Sequence, residues 1–247
     1  MKTIEENLRK ALPSTATIAD VWRSGSESQA AQLKIRETRP EDFPAIRELQ
    51  NAAYPAIAPW TDDHLASQLA YFTQGQIVAE QNGRVIGASA SLIVPWDEYG
   101  VNHTWKGITG DGSFATHDAT GKTLYGAEVV VDSRRRGNGV GRALYKARRQ
   151  LCQRLNLRRI IAAGRLPGYR DVKDVMSPEL YAMRVVWGDI PDPVLRFQMS
   201  LGFHYCGVIH NYLPEDEPSC GNAALIVWLN PHYVPPRPAA LVRKVAA

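Results

Sequence analysis

The spacing of hydrophobic positions divides the chain into an extension, a domain and a tail. Near the N-terminus, Ile4, Leu8 and Leu12 recur at every fourth position, which predicts a short amphipathic helix before a Ser- and Gly-rich linker. After this linker, apolar runs of strand length alternate with segments of helical period. We therefore expect three segments, which are an extension at 1–33, a single domain at 34–233 and a Pro-rich tail at 234–247.

The order of the predicted elements indicates a sheet covered by helices. The predicted strands are 33–36, 77–80, 84–88, 124–131, 159–163 and 223–228. Predicted helices follow the first strand, from about residue 41, and the fourth strand, at 141–156. Asn82-Gly83, between the second and third strands, is typical of a hairpin turn. Alternation of this kind predicts an α/β fold with a central mixed sheet flanked by helices.

Composition and cysteine usage narrow the class of protein. The 247 residues are 45% hydrophobic and 22% charged, as in an ordinary globular domain. No apolar run approaches the roughly 20 residues that span a bilayer, the N-terminus lacks the apolar core of a secretory signal, and the three cysteines form no closely spaced pair. We therefore expect a cytoplasmic protein without a membrane partner. The histidines show no metal-ligand spacing, so we expect no metal site.

Positive charge is concentrated in one part of the chain. The net charge is +4, and residues 133–170 contain twelve Lys or Arg residues but no Asp or Glu. This imbalance indicates an anion site, although a solvated helix face would explain part of it. Nucleic-acid binding is a rival interpretation. Because few aromatic side chains lie near the arginine-rich helix, we expect no nucleic-acid partner.

The strongest functional signal is a Gly-rich loop between the fourth strand and the helix after it. Its sequence from Val129 to Ala143 is VVVDSRRRGNGVGRA. Glycine lets the backbone approach a ligand closely, and the first amides of a helix have no intrahelical partner, so the loop predicts a phosphate site. A P-loop would end in Gly-Lys-Ser/Thr, and a Rossmann fingerprint would place GxGxxG after the first strand. Neither pattern fits.

The spacing Arg136-x-x-Gly139-x-Gly141 resembles the acetyl-CoA-binding signature of the GNAT superfamily of N-acetyltransferases. The resemblance covers roughly residues 33–233 in element order and implies the GNAT fold, with acetyl-CoA as co-substrate and its pantetheine arm in a gap beside the motif strand. The residues that it assigns to the cofactor are Val129, Val130, Val131, Arg136, Gly137, Asn138, Gly139, Val140, Gly141 and Arg142. Arg134 or Arg135 would reach the 3′-phosphate.

A later segment resembles the same family but departs from it at one position. The sequence FQMSLGF at 197–203 is similar to an element in which a tyrosine protonates the departing thiolate, and Gln198 stands in its place. An amide cannot act as an acid, so this role is either moved or unnecessary. The segment from Asp192 to Pro231 is similar to the GNAT module that some proteins carry fused to a carbon–nitrogen hydrolase. Since 14 residues follow Tyr233, we expect no hydrolase here.

Acyl transfer to an amine needs a group that removes a proton. Glu128, in the middle of the motif strand, is the predicted general base. The alternative is that Glu128 is a surface acid that interacts electrostatically with nearby arginines. For the general acid, Tyr205 and Tyr212 are the predicted catalytic residues. Tyr169 and Tyr181 are further candidates.

The leading hypothesis is therefore an N-acetyltransferase that acts by direct attack on an amine of a small molecule or a protein. The alternative, favoured by Gln198, is a catalytically impaired CoA-binding domain that serves as a sensor or interaction module. Arg165 and Arg170 either orient an acidic substrate or are exposed loop charges. The extension at 1–33 suits contact with a neighbouring subunit, which leaves a homodimer open.

Overall fold

The computed structural model of the chain describes residues 32–236. The chain divides into two compact units, Met1–Leu33 and Lys34–Ala247, and every strand and helix of the described range belongs to the second unit. The helix predicted around Leu8 and the end of the Pro-rich tail lie outside the described residues.

Seven strands and seven helices make up the described range. The strands are β1 (Lys34–Glu37), β2 (Ile77–Gln81), β3 (Arg84–Val94), β4 (Thr123–Val131), β5 (Arg159–Arg165), β6 (His204–Ile209) and β7 (Ala223–Leu229). The helices are α1 (Phe43–Ala53), α2 (Asp62–Phe72), α3 (Trp96–Tyr99), α4 (Trp105–Thr109), α5 (Val140–Arg154), α6 (Pro178–Trp187) and α7 (Leu195–Ser200). Each predicted strand is present, and β3 runs further than expected, to Val94.

The strands form one mixed sheet in the order β1-β2-β3-β4-β5-β7-β6. Only β4 and β5 are parallel, and every other neighbouring pair is antiparallel. Apolar side chains of α1 and α2 pack on one face, whereas those of α5, α6 and α7 pack on the other. The predicted α/β fold, a central mixed sheet flanked by helices, is therefore confirmed.

Local sequence accounts for the elements that lead to the site. Asn82 and Gly83 have φ of 52° and 72°, the left-handed conformation that a two-residue hairpin turn requires, so the hairpin prediction is confirmed. In α5, the buried positions Val140, Leu144 and Leu151 recur at helical spacing. This stripe holds α5 against the sheet with its N-terminus beside the end of β4.

The two parallel strands separate partway along their length. They pair from Thr123 with Arg159 as far as Gly126 with Ala162. Beyond that point β4 continues to Val131 paired only with β3, and β5 continues to Arg165 paired only with β7. The divergence opens a cleft in the sheet, and the β4 backbone on the cleft side keeps donors and acceptors without a strand partner.

A β-bulge in β4 lies directly after this point. Ala90 of β3 is opposite Glu128, whereas Ser91 is opposite Gly126, so Ala127 is an extra residue. The bulge reverses the alternation of side chains beyond it. Glu128 consequently faces α1, on the same side of the sheet as Tyr125, whereas a regular strand would have turned it towards α5.

Side chains take up the carbonyls that the bulge leaves without ladder partners. Arg148 of α5, which is 2% exposed, donates through Nη2 to the carbonyls of Glu128 at 2.6 Å and Ala90 at 3.0 Å. Its Nε and Nη2 also donate to the hydroxyls of Ser91 and Ser89. These bonds fix the bulge from the α5 side of the sheet.

Arg148→Lys tests this dependence. An ammonium on a shorter stem cannot reach both strands, so several buried acceptors lose their donor, and we expect the free energy of unfolding to fall by about 2–4 kcal/mol. Urea denaturation measures the change. Arg154→Lys, at the exposed end of the same helix, is the matched control and should change stability by less than about 0.5 kcal/mol. Equal stability of the two variants would show that the bulge does not need the guanidinium.

Candidate active site at the divergence of two strands

The Gly-rich loop presents an open backbone at the start of α5. Gly137 and Gly139 have φ of 83° and 81°, and a Cβ added at either position would meet no atom within 4 Å. Gly139 is the N-cap of α5 and contributes no side-chain cap, so the first amides of the helix keep their donors free of helical acceptors. Gly141 has a packing role as well, because a Cβ there would lie 3.2 Å from Phe197.

The arginines of the loop differ in whether they form an ion pair within the chain. Arg134 forms an ion pair of 2.9 Å with Asp132, which also caps the turn after β4. Arg135, Arg136 and Arg142 are exposed. Exposed guanidinium groups beside open helix amides favour a phosphate group.

The geometry fits the CoA ester that the loop sequence implies. The open glycines leave room for a pyrophosphate close to the backbone, and the edge of β4 that has no β5 partner, at residues 129–131, offers backbone groups to a pantetheine arm. Both features lie along one path from the surface loop to the cleft. The predicted cofactor residues of β4 and the loop are therefore contiguous in space.

Glu128 is a half-buried carboxylate with one fixed donor. Gln50 of α1 donates from Nε2 to Glu128 Oε2 at 2.8 Å, while Gln50 Oε1 accepts from the backbone amide of Trp60 at 3.1 Å. Since that amide can only donate, the orientation of the Gln50 side chain is set. Burial raises the pKa of Glu128 to about 7, against the opposing effects of Gln50 and the positive charge of Arg148. A carboxyl group that titrates near neutrality suits proton transfer.

Three residues contact one another at the end of β5, on the α1 side of the sheet. Arg165, at the end of β5, donates to Asp216 through Nε at 2.8 Å and through Nη2. Its guanidinium carbon lies 4.9 Å above the ring of Tyr54, which ends α1. Burial and the negative charge of Glu128 raise the pKa of Tyr54. Gln50 and Tyr54 were missed in the sequence because no local pattern distinguishes them.

Tyr212 lies in a buried chain of hydrogen bonds. Its hydroxyl is 2.7 Å from that of Tyr125, which is 2.9 Å from His103 Nε2, and His103 Nδ1 is 3.0 Å from the Gly100 carbonyl. A carbonyl only accepts, so Nδ1 carries the proton, and Tyr125 donates to Nε2. Tyr212 therefore donates to Tyr125. The hydroxyl proton of Tyr212 is thus used in the hydrogen bond to Tyr125. The acid role of Tyr212 stays a prediction.

The other tyrosine candidates lie away from Glu128. Tyr205, on the edge strand β6, packs on the α6 side of the sheet. Tyr181 donates to Asp192 at 2.9 Å, and Tyr169 donates to the Met176 carbonyl at 3.3 Å. The structure thus does not bring Tyr205 and Glu128 together, and the acid role of Tyr205 stays a prediction.

Gln198 is turned into the core. Its Nε2 donates to the Tyr145 hydroxyl at 3.0 Å, and its Oε1 is buried without a hydrogen-bond partner among the described residues. A Cβ on Gly164 of β5 would clash with this oxygen. The amide therefore fills space beside β5 that the glycine leaves open.

Two further findings concern residues 32–236 only. Within this range no group of three or more His, Cys, Asp or Glu side chains is arranged to hold a metal ion. No helix in the same range has the length and apolar character needed to cross a membrane.

The raised pKa of Glu128 predicts a pH-dependent stability effect. The folded state holds this proton more tightly than the unfolded state, whose pKa is 4.5, so the carboxylate destabilises the fold increasingly between about pH 4.5 and pH 7. We expect Glu128→Gln to be more stable than the native chain at pH 8, by up to about 3 kcal/mol, and equally stable near pH 4. Urea denaturation at both values measures this. Glu48→Gln, at an exposed position of α1, should show no such difference. A less stable Glu128→Gln at pH 8 would refute the effect.

The sequence matches a known family model and two proteins of Bacillus subtilis. The family model described as the Acetyltransferase (GNAT) family matches residues 43–171. The probable hydrolase YhcX of Bacillus subtilis (strain 168) is 40% identical over 204 residues, which are 83% of this chain and 40% of that protein. The chain thus spans less than half the length of YhcX. The uncharacterized N-acetyltransferase YkwB of the same organism is 33% identical over 205 residues, 81% of this chain and 90% of that protein.

Solved structures show the same fold. The loading GNATL domain of CurA from Lyngbya majuscula matches with a TM-score of 0.71 at 18% identity, over 81% of this chain and 99% of that one. The GphF GNAT-like decarboxylase, in complex with isobutyryl-CoA, matches with a TM-score of 0.66 at 23% identity, over 80% and 99%. These structures show the fold, and the family model together with YkwB shows that the chain belongs to the GNAT acetyltransferase family.

Proposed function

We propose that the chain is an N-acetyltransferase that moves an acetyl group from acetyl-CoA to an amine of a small molecule or a protein by direct attack. The observation that carries this proposal is Glu128. A β-bulge turns this carboxyl group to the α1 face, just beyond the point where β4 and β5 separate, and burial brings its pKa to about 7. Membership of an acyltransferase family supports the reaction class.

The two ends of the site would have different roles, one binding the cofactor and the other the acceptor. Arg136, Arg142 and the amides of Gly137, Gly139 and Gly141 would hold the pyrophosphate, and the free edge of β4 at residues 129–131 would bind the pantetheine arm. Acetyl-CoA supplies the activated acetyl thioester. Glu128 would receive the acceptor from the α1 side of the same strand.

Glu128 would act as the general base. An acceptor ammonium has an ordinary pKa of about 10 and must lose a proton before its nitrogen can attack. In the balanced reaction a C–S bond is exchanged for a C–N bond. The ammonium loses two protons, one of which ends on the CoA thiol and the other in solvent through Glu128. A thiol pKa of about 8.5 makes the thiolate a fair leaving group near neutrality, so a tyrosine at position 198 is not required.

The chemistry also suits a reducing compartment. Cys152, Cys206 and Cys220 are free. Together with the need for acetyl-CoA, this supports the cytoplasm as the place where the chain acts.

Release of free thiol over a panel of amines tests the proposal. We expect turnover by the native chain, and a fall in kcat of about 10²–10⁴-fold in Glu128→Gln, because general-base catalysis is worth that much. CoA binding, measured by calorimetry, should stay unchanged, and Glu48→Gln should keep full activity. Tight CoA binding without turnover on any amine would instead favour a sensor or interaction domain, the reading that Gln198 suggests.

Gln50→Glu tests how the base is tuned. The new carboxylate can still accept from the Trp60 amide, but its charge beside Glu128 disfavours ionisation of the pair. We expect the acidic limb of kcat/KM, near pH 7 in the native chain, to move to higher pH by about one unit or more. Gln74→Glu, at an exposed position, is the matched control. An unchanged limb would mean that Glu128 is not the group that titrates.

A further inference from the structure

A guanidinium lies on the same face of the sheet as the carboxyl group of Glu128. Side chains alternate along β5, and Ala163 packs with the core on the α1 side, so Arg165 also projects to that side. β4 and β5 lie about 4.8 Å apart where they pair, and they diverge beyond Ala162. The two diverging strands thus carry a carboxyl group and a guanidinium on the same face of the sheet.

Contacts along one edge and against one face of its plane hold the guanidinium of Arg165 in place. Asp216, whose side chain is 2% exposed, accepts from Nε and Nη2, and the Tyr54 ring lies beneath the plane. The third nitrogen, Nη1, donates to no residue in the described range 32–236, and 26% of the side chain is exposed. An arginine held in this way offers a preorganised donor edge.

Tyr54 lies near both the guanidinium of Arg165 and the proposed base, Glu128. It lies one helical turn after Gln50, the donor to Glu128, so both side chains extend from the same side of α1. The ring therefore lies near both the carboxyl group and the guanidinium, whose charges act on its pKa in opposite directions. A ligand that fits both ends must present an ammonium at Glu128 and an acceptor oxygen at Arg165.

Asp216 determines how strongly the guanidinium edge attracts anions. Because it neutralises part of the charge of Arg165, the free edge would not attract every anion. It would bind a ligand through directed, charge-assisted hydrogen bonds, for which a carboxylate is the best acceptor. Arg170 is not held by a buried carboxylate in this way, since it is exposed and its Nη1 lies 3.9 Å from Glu217 Oε2.

We propose that the acceptor is a small-molecule amine of the amino-acid class, whose carboxylate is bound by Arg165 Nη1 while its ammonium lies at Glu128. The inference rests on the proposed function and narrows its acceptor. A lysine side chain of a protein carries no carboxylate of its own and would leave the free Nη1 of Arg165 without an acceptor, which favours a small molecule over a protein.

The test compares each amino acid in a panel with its α-carboxamide. The variant is Arg165→Gln combined with Asp216→Asn, which removes both charges and keeps a side-chain hydrogen bond, so that no buried charge is left unpaired. The ratio of kcat/KM for acid and amide in the variant, divided by that in the native chain, cancels the different amine pKa values. Arg170→Gln is the matched control, and the Tm of each variant confirms folding.

We expect the native chain and Arg170→Gln to prefer the acid, and the double variant to lose about ten- to a hundredfold of that preference, mainly through KM. No preference in the native chain, or one retained by the double variant, would overturn the inference. An equal loss on acid and amide would overturn it too and assign Arg165 to the acetyl donor. If no amine turns over, the proposed function fails. Calorimetric binding of acid and amide to the CoA-loaded chain then decides the inference separately.

Discussion

The bulge at Ala127 is the constraint on which the candidate site depends. It interrupts the ladder between β3 and β4, and the freed carbonyls are satisfied by side chains from both faces: Arg148 binds those of Ala90 and Glu128, and Trp105 donates to that of Ala127 at 3.3 Å. The cost is a buried guanidinium, and burial lowers the pKa of Arg148. What is gained is the direction of one side chain, because the bulge alone places Glu128 on the α1 face.

The divergence of β4 and β5 lets one strand serve both faces of the sheet. β4 leads into the Gly-rich loop and the N-terminus of α5, where a phosphate site is formed by backbone groups. The same strand carries Glu128 on the opposite face. Beyond the separation β5 is held by its pairing with β7, which continues as far as Arg165 opposite Ala223.

Sequence reasoning succeeded where the signal is local. The Gly-rich loop, the Asn82-Gly83 hairpin and the order of strands depend on short-range conformational preferences, and the fold followed from them. It could not supply the partners of Glu128, since Gln50 and Tyr54 come from a helix far earlier in the chain. The tyrosines show the same limit. The direction of the hydroxyl of Tyr212 is set by a carbonyl at Gly100, and the face of Tyr205 by sheet pairing.

Gln198 and Glu128 together bear on whether such a site is catalytic. Gln198 occupies the volume that a Cβ on Gly164 would need, so the amide and the glycine form one packing unit, and a bulkier tyrosine would not fit there unchanged. Its presence therefore reflects packing beside β5 as much as loss of an acid. Glu128, in contrast, has no packing explanation. Its burial raises the pKa to about 7 and weakens the fold at neutral pH, which a domain that only bound CoA would not require. A destabilising carboxyl group, turned by a bulge to the α1 face beside the separation of β4 and β5, favours catalysis over passive binding.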